Sequence, residues 1–403
     1  MRVLFTTPVL EHPPAGGPQL RIENSIIALH RVSDLHILSR VDKRSLGGDH
    51  ADNFFRTHCR EFVYLPSINN LSTNRYIRKA QRMIKKITLE DDADFIIDYT
   101  EERRIDLLWF GYGNISYLLM KEIKKKRPSL KVVCDTDSVW SRFILRELPY
   151  ESDPARRKEI ERKGRQKERE EWEWVNLCDV TTAVSEVDAE YYRECAKEPE
   201  RIKIFSNVIN LDTYSQKIPP PAEFQKPCLY IAGTFWKKSP MEKSTRWVIC
   251  NVLPIIRRKI PKIHFYVIGR GSKETFNDIN GPNITIAGKL PSVLPYLCHA
   301  DVSIVPLFFE SGTRFKILEA AACGIPIVST TLGAEGIPVE DGQSIIIADD
   351  PDRFAEGIIK LIIDKPFAKQ IATNCKQLIE QYYSINALEQ EAGKIINYIM
   401  RRH

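Results

Sequence analysis

Short apolar runs of four or five residues alternate with helix-period stretches, and they do so in two successive series. In the first series Val3–Thr7, Leu35–Leu38, Phe62–Leu65, Leu107–Gly111, Leu130–Cys134 and Val180–Val184 read as strands, with a helix pattern at Leu20–Leu29. In the second, Cys228–Ala232, His264–Ile268, Ile284–Ala287, Val302–Val305, Ile325–Ser329 and Ser344–Ile347 read the same way. Helix patterns there fall at Thr245–Arg258, Ser292–Cys298, Ile317–Cys323 and Pro351–Lys360. Strands that alternate with helices require right-handed crossovers, and so parallel sheets covered on both faces. Between the two series lies LDTYSQKIPPPAEFQKP, where Pro219, Pro220 and Pro221 forbid helix and central strand. The expectation is an α/β chain of two doubly wound, Rossmann-like domains facing a central cleft, with a hinge in that segment.

A chain of 403 residues exceeds one ordinary core and suits two domains of roughly 150–200 residues each. Its apolar runs fall short of the ~20 residues of a membrane span, and MRVLFTTPVL is too short for a secretory signal and reads as a buried strand. Nine scattered cysteines without a Cys-x-x-Cys pair favour reduced thiols in a cytoplasmic protein over a disulfide framework or a zinc site. The net charge of +6 suits an anionic ligand, but no nucleic-acid motif is visible and aromatics are not interleaved with the basic runs. Nucleic acid is therefore not expected as a partner.

Two charged stretches have bland and functional readings. Residues 154–173 intermix both signs and read as a solvated helix, or as a partner surface. Residues 75–86 carry six basic groups, with Ile77, Ala80 and Ile84 at helical spacing. They read as a solvated core helix, or as a helix lying on anionic lipid at the inner face of the membrane. Residues 386–402 read as a terminal helix.

Glycine-rich turns after strands let backbone amides approach an anion, and a following helix adds its positive end. Gly16–Gly17, before the helix that carries Arg21, is one such turn, and Gly269-Arg-Gly271 is another. Neither completes a G-x-G-x-x-G fingerprint, so hydride transfer is unsupported. The segment Glu310–Glu319 (ESGTRFKILE) carries more chemistry. Arg314 and Lys316 stand with Gly312 and Thr313 where a helix opens, the combination of fork, point charge and backbone donors that a diphosphate needs. Glu319, one helical turn in, suits a ribose diol.

Residues 228–348 resemble the group 1 family of GT-B glycosyltransferases. The resemblance rests on IAGTFW, FYVIGRG, ITIAGKL, LCHADVSIVPL, ESGTRFKILEAAACGIPIVST and LGAEGIP, with a close match to the subgroup pattern Gly-x-x-Arg-x-Lys-x-Leu-Glu-Ala. It continues more weakly through EHPPAGGPQLR, TAVSEVD and IFSNVINLDTY. By that resemblance Glu319 corresponds to the second Glu of the family's Glu-x7-Glu motif, which holds the donor ribose. Ser311 stands where the first Glu is expected, and Glu310 lies one position further back. Arg314 and Lys316 resemble the subgroup's diphosphate cations. Gly233, Thr234 and Gly269 fall in the donor-binding turns, and Gly288 and Lys289 resemble the loop that meets the base. Gly16 and Gly17 resemble the N-domain loop that closes over phosphate and acceptor, with Arg21 beside it.

Asp135-Thr136-Asp137 has the form of the metal-binding signature of the other large glycosyltransferase fold, but that single-domain fold would leave the second series unexplained. At a strand's carboxyl end, where relatives place a His, Asp135 or Asp137 is expected to contact the donor sugar or the acceptor hydroxyl. His12, beside the Gly16 loop, is a candidate for facing the acceptor. His58 and His299 read as structural.

The resemblance implies an N-terminal acceptor-binding domain over 1–212 and a nucleotide-sugar-binding domain over 213–385. Residues 386–403 would return to the first domain. The implied activity is retaining transfer of a sugar from a nucleoside-diphosphate sugar, a UDP or GDP sugar, to a glycan, glycolipid or other hydroxyl acceptor. It requires neither a metal nor an obligatory cofactor. Two other readings stand beside it: a nucleotide-sugar 2-epimerase on the same architecture, and a non-catalytic nucleotide-sugar-binding protein.

Overall fold

The computed structural model describes residues 1–68, 88–216 and 218–401. The basic stretch 75–86 lies outside the described residues. The chain divides into two compact units, Met1–Val208 with Ile385–His403, and Ile209–Ser384. The crossing falls four residues ahead of the expected 212/213 boundary. The reason is that Ile209 already pairs with Ser384 and donates to the Tyr383 carbonyl at 3.0 Å.

The first unit is built on seven parallel strands: β1 Arg2–Thr7, β2 Asp34–Ser39, β3 Glu61–Tyr64, β4 Leu107–Gly111, β5 Lys131–Asp135, β6 Val180–Ala183 and β7 Ile202–Ile204. Their order is β3-β2-β1-β4-β5-β6-β7. Val3 pairs with Leu35 on one side and Leu107 on the other, so the winding reverses between β1 and β4. Helices cover both faces, and so the strands are apolar on both. Leu4, Leu108, Phe110 and Val132 face one core with Met120 and Trp174. Val3, Phe5, Leu107, Trp109 and Val133 face the other.

That second core is closed by helix α1 (Gly17–Val32), through Ile22, Ile26 and Leu29, and by the terminal helix Ile385–Met400, through Leu388, Ala392, Ile395 and Ile399. Each Ile or Leu among them withdrawn from water contributes about 1.5–3 kcal/mol before entropy is counted. Polar ties fix the terminal helix: Arg31 donates to Asn386 Oδ1 at 3.0 Å, and Glu391 accepts from the Ser206 amide at 2.7 Å.

Helix α2 (Pro154–Leu177) carries the mixed-charge stretch. It starts on Asp153, whose side chain accepts from the Ala155 amide, and it is solvated on one face only. Ile160, Gly164, Glu171, Trp174 and Val175 are buried. Glu171 is held there by the Ser141 amide at 3.0 Å and the Tyr191 hydroxyl at 2.7 Å.

The second unit is a six-stranded parallel sheet: β8 Cys228–Ala232, β9 His264–Ile268, β10 Ile284–Gly288, β11 Val302–Val305, β12 Ile327–Ser329 and β13 Ile346–Ile347. The order β10-β9-β8-β11-β12-β13 again reverses beside the first strand, between β8 and β11. The same unit contains the one-turn helix α3 (Leu211–Tyr214), ahead of its first strand, and α4 (Phe315–Ala322), between β11 and β12. Among the described residues no helix is long and apolar enough to cross a membrane.

Candidate functional site

In doubly wound sheets, ligands bind outside the carboxyl ends of the strands where the winding reverses. Each unit has one such point, and the residues singled out in the sequence gather at both.

In the first unit the point lies after β1 and β4. The loop after β1 ends at Gly16, which is exposed and extended, with no atom closer than 3.7 Å to where a Cβ would stand. Gly17 opens α1, whose first turn contains no acidic residue to oppose an anion. His12 stacks on Phe54 with ring centroids 3.8 Å apart, and its Nδ1 lies 2.7 Å from Glu23 Oε2. Burial raises the Glu23 carboxyl above its ordinary range, against the lowering effect of His12.

Arg21 and Asp135, assigned separate roles in the sequence, meet in one buried pair. Arg21 Nη2 donates to Asp135 Oδ1 and to the Phe205 carbonyl at 3.1 Å, while Nη1 donates to Asn207 Oδ1 at 2.7 Å. Thr182 Oγ1 also donates to Asp135 Oδ1, at 2.7 Å. Burial raises the Asp135 carboxyl, and the Arg21 charge and Thr182 hydrogen bond oppose that rise. Asp137 accepts from Asn114 Nδ2 at 2.6 Å and from the Trp140 indole at 3.0 Å, and burial raises it as well. Each carboxylate is therefore engaged by its own unit through Oδ1, and Asp135 Oδ2 is buried with no hydrogen-bond partner among the described residues.

In the second unit the point lies after β8 and β11. The loops after β8, β9 and β10 meet largely through main chain, with the Ser272 hydroxyl accepting from the Gly288 amide at 3.1 Å. The Gly233 amide donates to the Ile268 carbonyl at 3.0 Å, and the Gly269 amide to the Gly288 carbonyl at 2.9 Å. Gly269 has φ +136°, and a Cβ on it would stand 1.8 Å from the Gly233 carbonyl oxygen. Gly271, at φ +76°, approaches the Phe235 carbonyl in the same way. Only glycine permits both that backbone conformation and that approach. Thr234 and Lys289 project exposed beside the seam, as do Trp236, Lys237 and Lys238.

The segment after β11 passes through Gly312, at φ +81°, and buried Thr313 to Arg314, which caps α4. Arg314 is 3% exposed. Its Nη2 donates to the Leu332 carbonyl at 3.1 Å, and its Nε lies 3.1 Å from Glu310 Oε2. Glu310 is thus the partner of Arg314, four residues on. Ser311 Oγ is buried with no hydrogen-bond partner among the described residues. Lys316 stands part-exposed in the first turn of α4, close enough to Glu319 to favour its charged form.

Glu319 Oε1 accepts from the Tyr214 hydroxyl at 2.8 Å. Burial raises the Glu319 carboxyl, partly offset by Tyr214 and Lys316. The Tyr214 phenol is raised far above its ordinary value, first by burial and then by the Glu319 charge, so it remains a donor. Sequence reasoning did not assign Tyr214 to the site. Its one local signal is the Asn210 cap, whose side chain accepts from the Asp212 amide at 3.1 Å and starts α3. His299 Nε2 hydrogen-bonds the Ile218 carbonyl at 2.7 Å, a structural tie.

Residues 226–364 match the family described as Glycosyl transferases group 1. Among curated proteins, 149 residues are 25% identical to an uncharacterized 44.6 kDa protein in the cps region of Klebsiella pneumoniae, covering 34% of this chain and 38% of that one. Sixty-seven residues are 40% identical to the D-inositol 3-phosphate glycosyltransferase of Corynebacterium jeikeium (strain K411), covering 16% of each chain. The chain thus spans 38% or less of the length of these relatives. Among solved structures, the Anabaena protein Alr3699/HepE in complex with UDP aligns with a TM-score of 0.67 at 13% identity, over 99% of this chain and 100% of that one. Sucrose-phosphate synthase from Thermosynechococcus elongatus aligns at 0.70 and 16% identity, over the whole of both chains. The fold is that of GT-B glycosyltransferases, two parallel-sheet α/β domains.

Proposed function

We propose that the protein is a retaining glycosyltransferase that moves a sugar from a nucleoside-diphosphate sugar to a hydroxyl acceptor, a glycan or glycolipid. The observation that carries this reading is the segment Gly312–Glu319, which brings a buried guanidinium, an ammonium, a helix N-terminus and a carboxylate to the point where the second sheet reverses. That segment lies inside the stretch matched to group 1 glycosyl transferases. A UDP sugar is the first donor to test, because Alr3699/HepE was crystallised with UDP and with UDP-glucose.

On this reading the diphosphate lies against the first turn of α4, with Lys316 and the helix amides as donors and Arg314 beneath them. Breaking the anomeric C–O bond gathers negative charge on the departing diphosphate, and preorganised donors stabilise that charge as it forms. Glu319 accepts from the ribose diol. Retention follows if the leaving phosphate oxygen takes the acceptor proton on the face from which it departs, a step that needs no protein base. In the first unit the open α1 N-terminus and His12 serve the acceptor side, with Arg21 and Asp135 holding the loop ends beneath.

Thermal-shift titration with UDP, GDP, ADP and their sugars tests donor binding, because a ligand that binds only the folded state raises the melting temperature. Product analysis with the stabilising donor and hydroxyl acceptors then tests transfer. A donor that stabilises the protein but is never transferred or hydrolysed would remove the enzyme reading.

A further inference from the structure

Tyr214 and Glu319 are separated by 105 residues, yet the structure brings a phenol hydroxyl to 2.8 Å from one carboxylate oxygen. The other oxygen, Oε2, accepts no hydrogen bond from any described residue, and Glu319 is only part-buried. A glutamate has three rotatable side-chain bonds, and without an anchor its carboxylate samples several positions. The Tyr214 hydroxyl removes that freedom at one oxygen and leaves the second as an oriented acceptor.

The tyrosine is itself fixed. It ends α3, which Asn210 caps at its start and which closes with the Ser215 amide on the Leu211 carbonyl at 3.1 Å. Its carbonyl is approached by the Cys323 thiol at 3.8 Å, from the residue that ends the helix bearing Glu319. Its phenol stays protonated because burial and the neighbouring carboxylate both oppose ionisation. A phenol donating to a carboxylate is charge-assisted and directional.

We infer that Tyr214 is a positioning residue for the donor ribose: it pins Glu319 Oε1 so that Oε2 meets the ribose diol. The inference rests on the proposed role of Glu319 as the ribose acceptor. Its consequence is discrimination between a nucleotide that has the diol and one that lacks it.

Calorimetric affinities for UDP and 2′,3′-dideoxy-UDP test it, measured on the full chain and on Tyr214→Phe, Glu319→Ala and the double variant. Tyr214→Phe is expected to weaken UDP about tenfold, the usual worth of a hydrogen bond to a charged group, and to leave dideoxy-UDP unchanged. In the Glu319→Ala background the same change is expected to have no further effect. Asn210→Ala, an exposed substitution that keeps both side chains and loosens only α3, is expected to narrow the preference in part. It serves as the measurement if Tyr214→Phe does not fold. An equal loss for both nucleotides in Tyr214→Phe, or an unchanged preference, would overturn the positioning role. A preference that survives Glu319→Ala would instead show that Glu319 is not the ribose acceptor, and the two failures are distinguishable.

Discussion

The Arg21 guanidinium, set in α1, closes on the Asp135 carboxylate at the end of β5, and both side chains are 1% exposed or less. Asn207 and the Phe205 carbonyl accept from the same guanidinium through Nη1 and Nη2, so the pair ties α1, β5 and the stretch after β7 into one buried knot. Arg21 stands four residues into the helix that Gly17 opens.

Breaking that pair on one side leaves a charge stranded in the core. Arg21→Met is expected to cost about 3–5 kcal/mol of folding stability, because the carboxylate keeps its desolvation and loses its partner. Urea unfolding measures the loss. Adding Asp135→Asn should recover much of it, since the stranded charge is then gone.

Two glycines respond oppositely to one methyl group. Gly269→Ala places a Cβ 1.8 Å from the Gly233 carbonyl oxygen at φ +136°, so strain and overlap combine. A loss of at least ~3 kcal/mol is expected. Gly16→Ala makes only ordinary contacts, the nearest at 3.7 Å, in an extended conformation, and a change within ~0.5 kcal/mol is expected. Melting followed by circular dichroism separates them.

Glu319 gives the fold a pH dependence with a definite sign. Its carboxyl is raised in the folded protein, chiefly by burial, so the folded state binds its proton more tightly than the unfolded chain does. The group's contribution is fullest below the ordinary carboxylate value and is lost as pH rises through the raised one. Glu319→Gln should therefore melt higher than the parent at neutral pH, and the gap should close as the medium is acidified toward pH 4. A gap that widens on acidification would contradict the burial argument.

Arg314 is expected to matter for turnover more than for donor affinity. Its guanidinium lies under the proposed diphosphate site, where charge grows only as the glycosidic bond breaks. Arg314→Ala should lower kcat by about 10²–10³, the cost of removing one preorganised donor. Arg314→Lys should recover little, because a point charge does not replace the planar fork. Steady-state kinetics with the stabilising donor check both.

The central strands were legible because they are buried on both faces, which leaves runs such as Leu107–Gly111 with no polar interruption. β7 was not, because Ile202-Lys203-Ile204 is a three-residue edge strand whose middle side chain is part-exposed. The abundant charges of 154–173 concealed the buried face of α2, since Trp174 and Val175 lie just beyond that stretch. Residue types at α4 announced cations and a carboxylate at a helix start. They could not announce partners, because partners come from distant chain: Tyr214 reaches Glu319 across 105 residues and Arg21 reaches Asp135 across 114.

The seam at Gly233, Gly269 and Gly288 has a bearing on engineering. Its loops are joined by amides, carbonyls and the buried Ser272 hydroxyl, none of which is a side chain that projects exposed beside it. Thr234, Trp236 and Lys289 are consequently positions where a combinatorial library can be varied at small risk to folding, and where altered donor preference is best sought by selection.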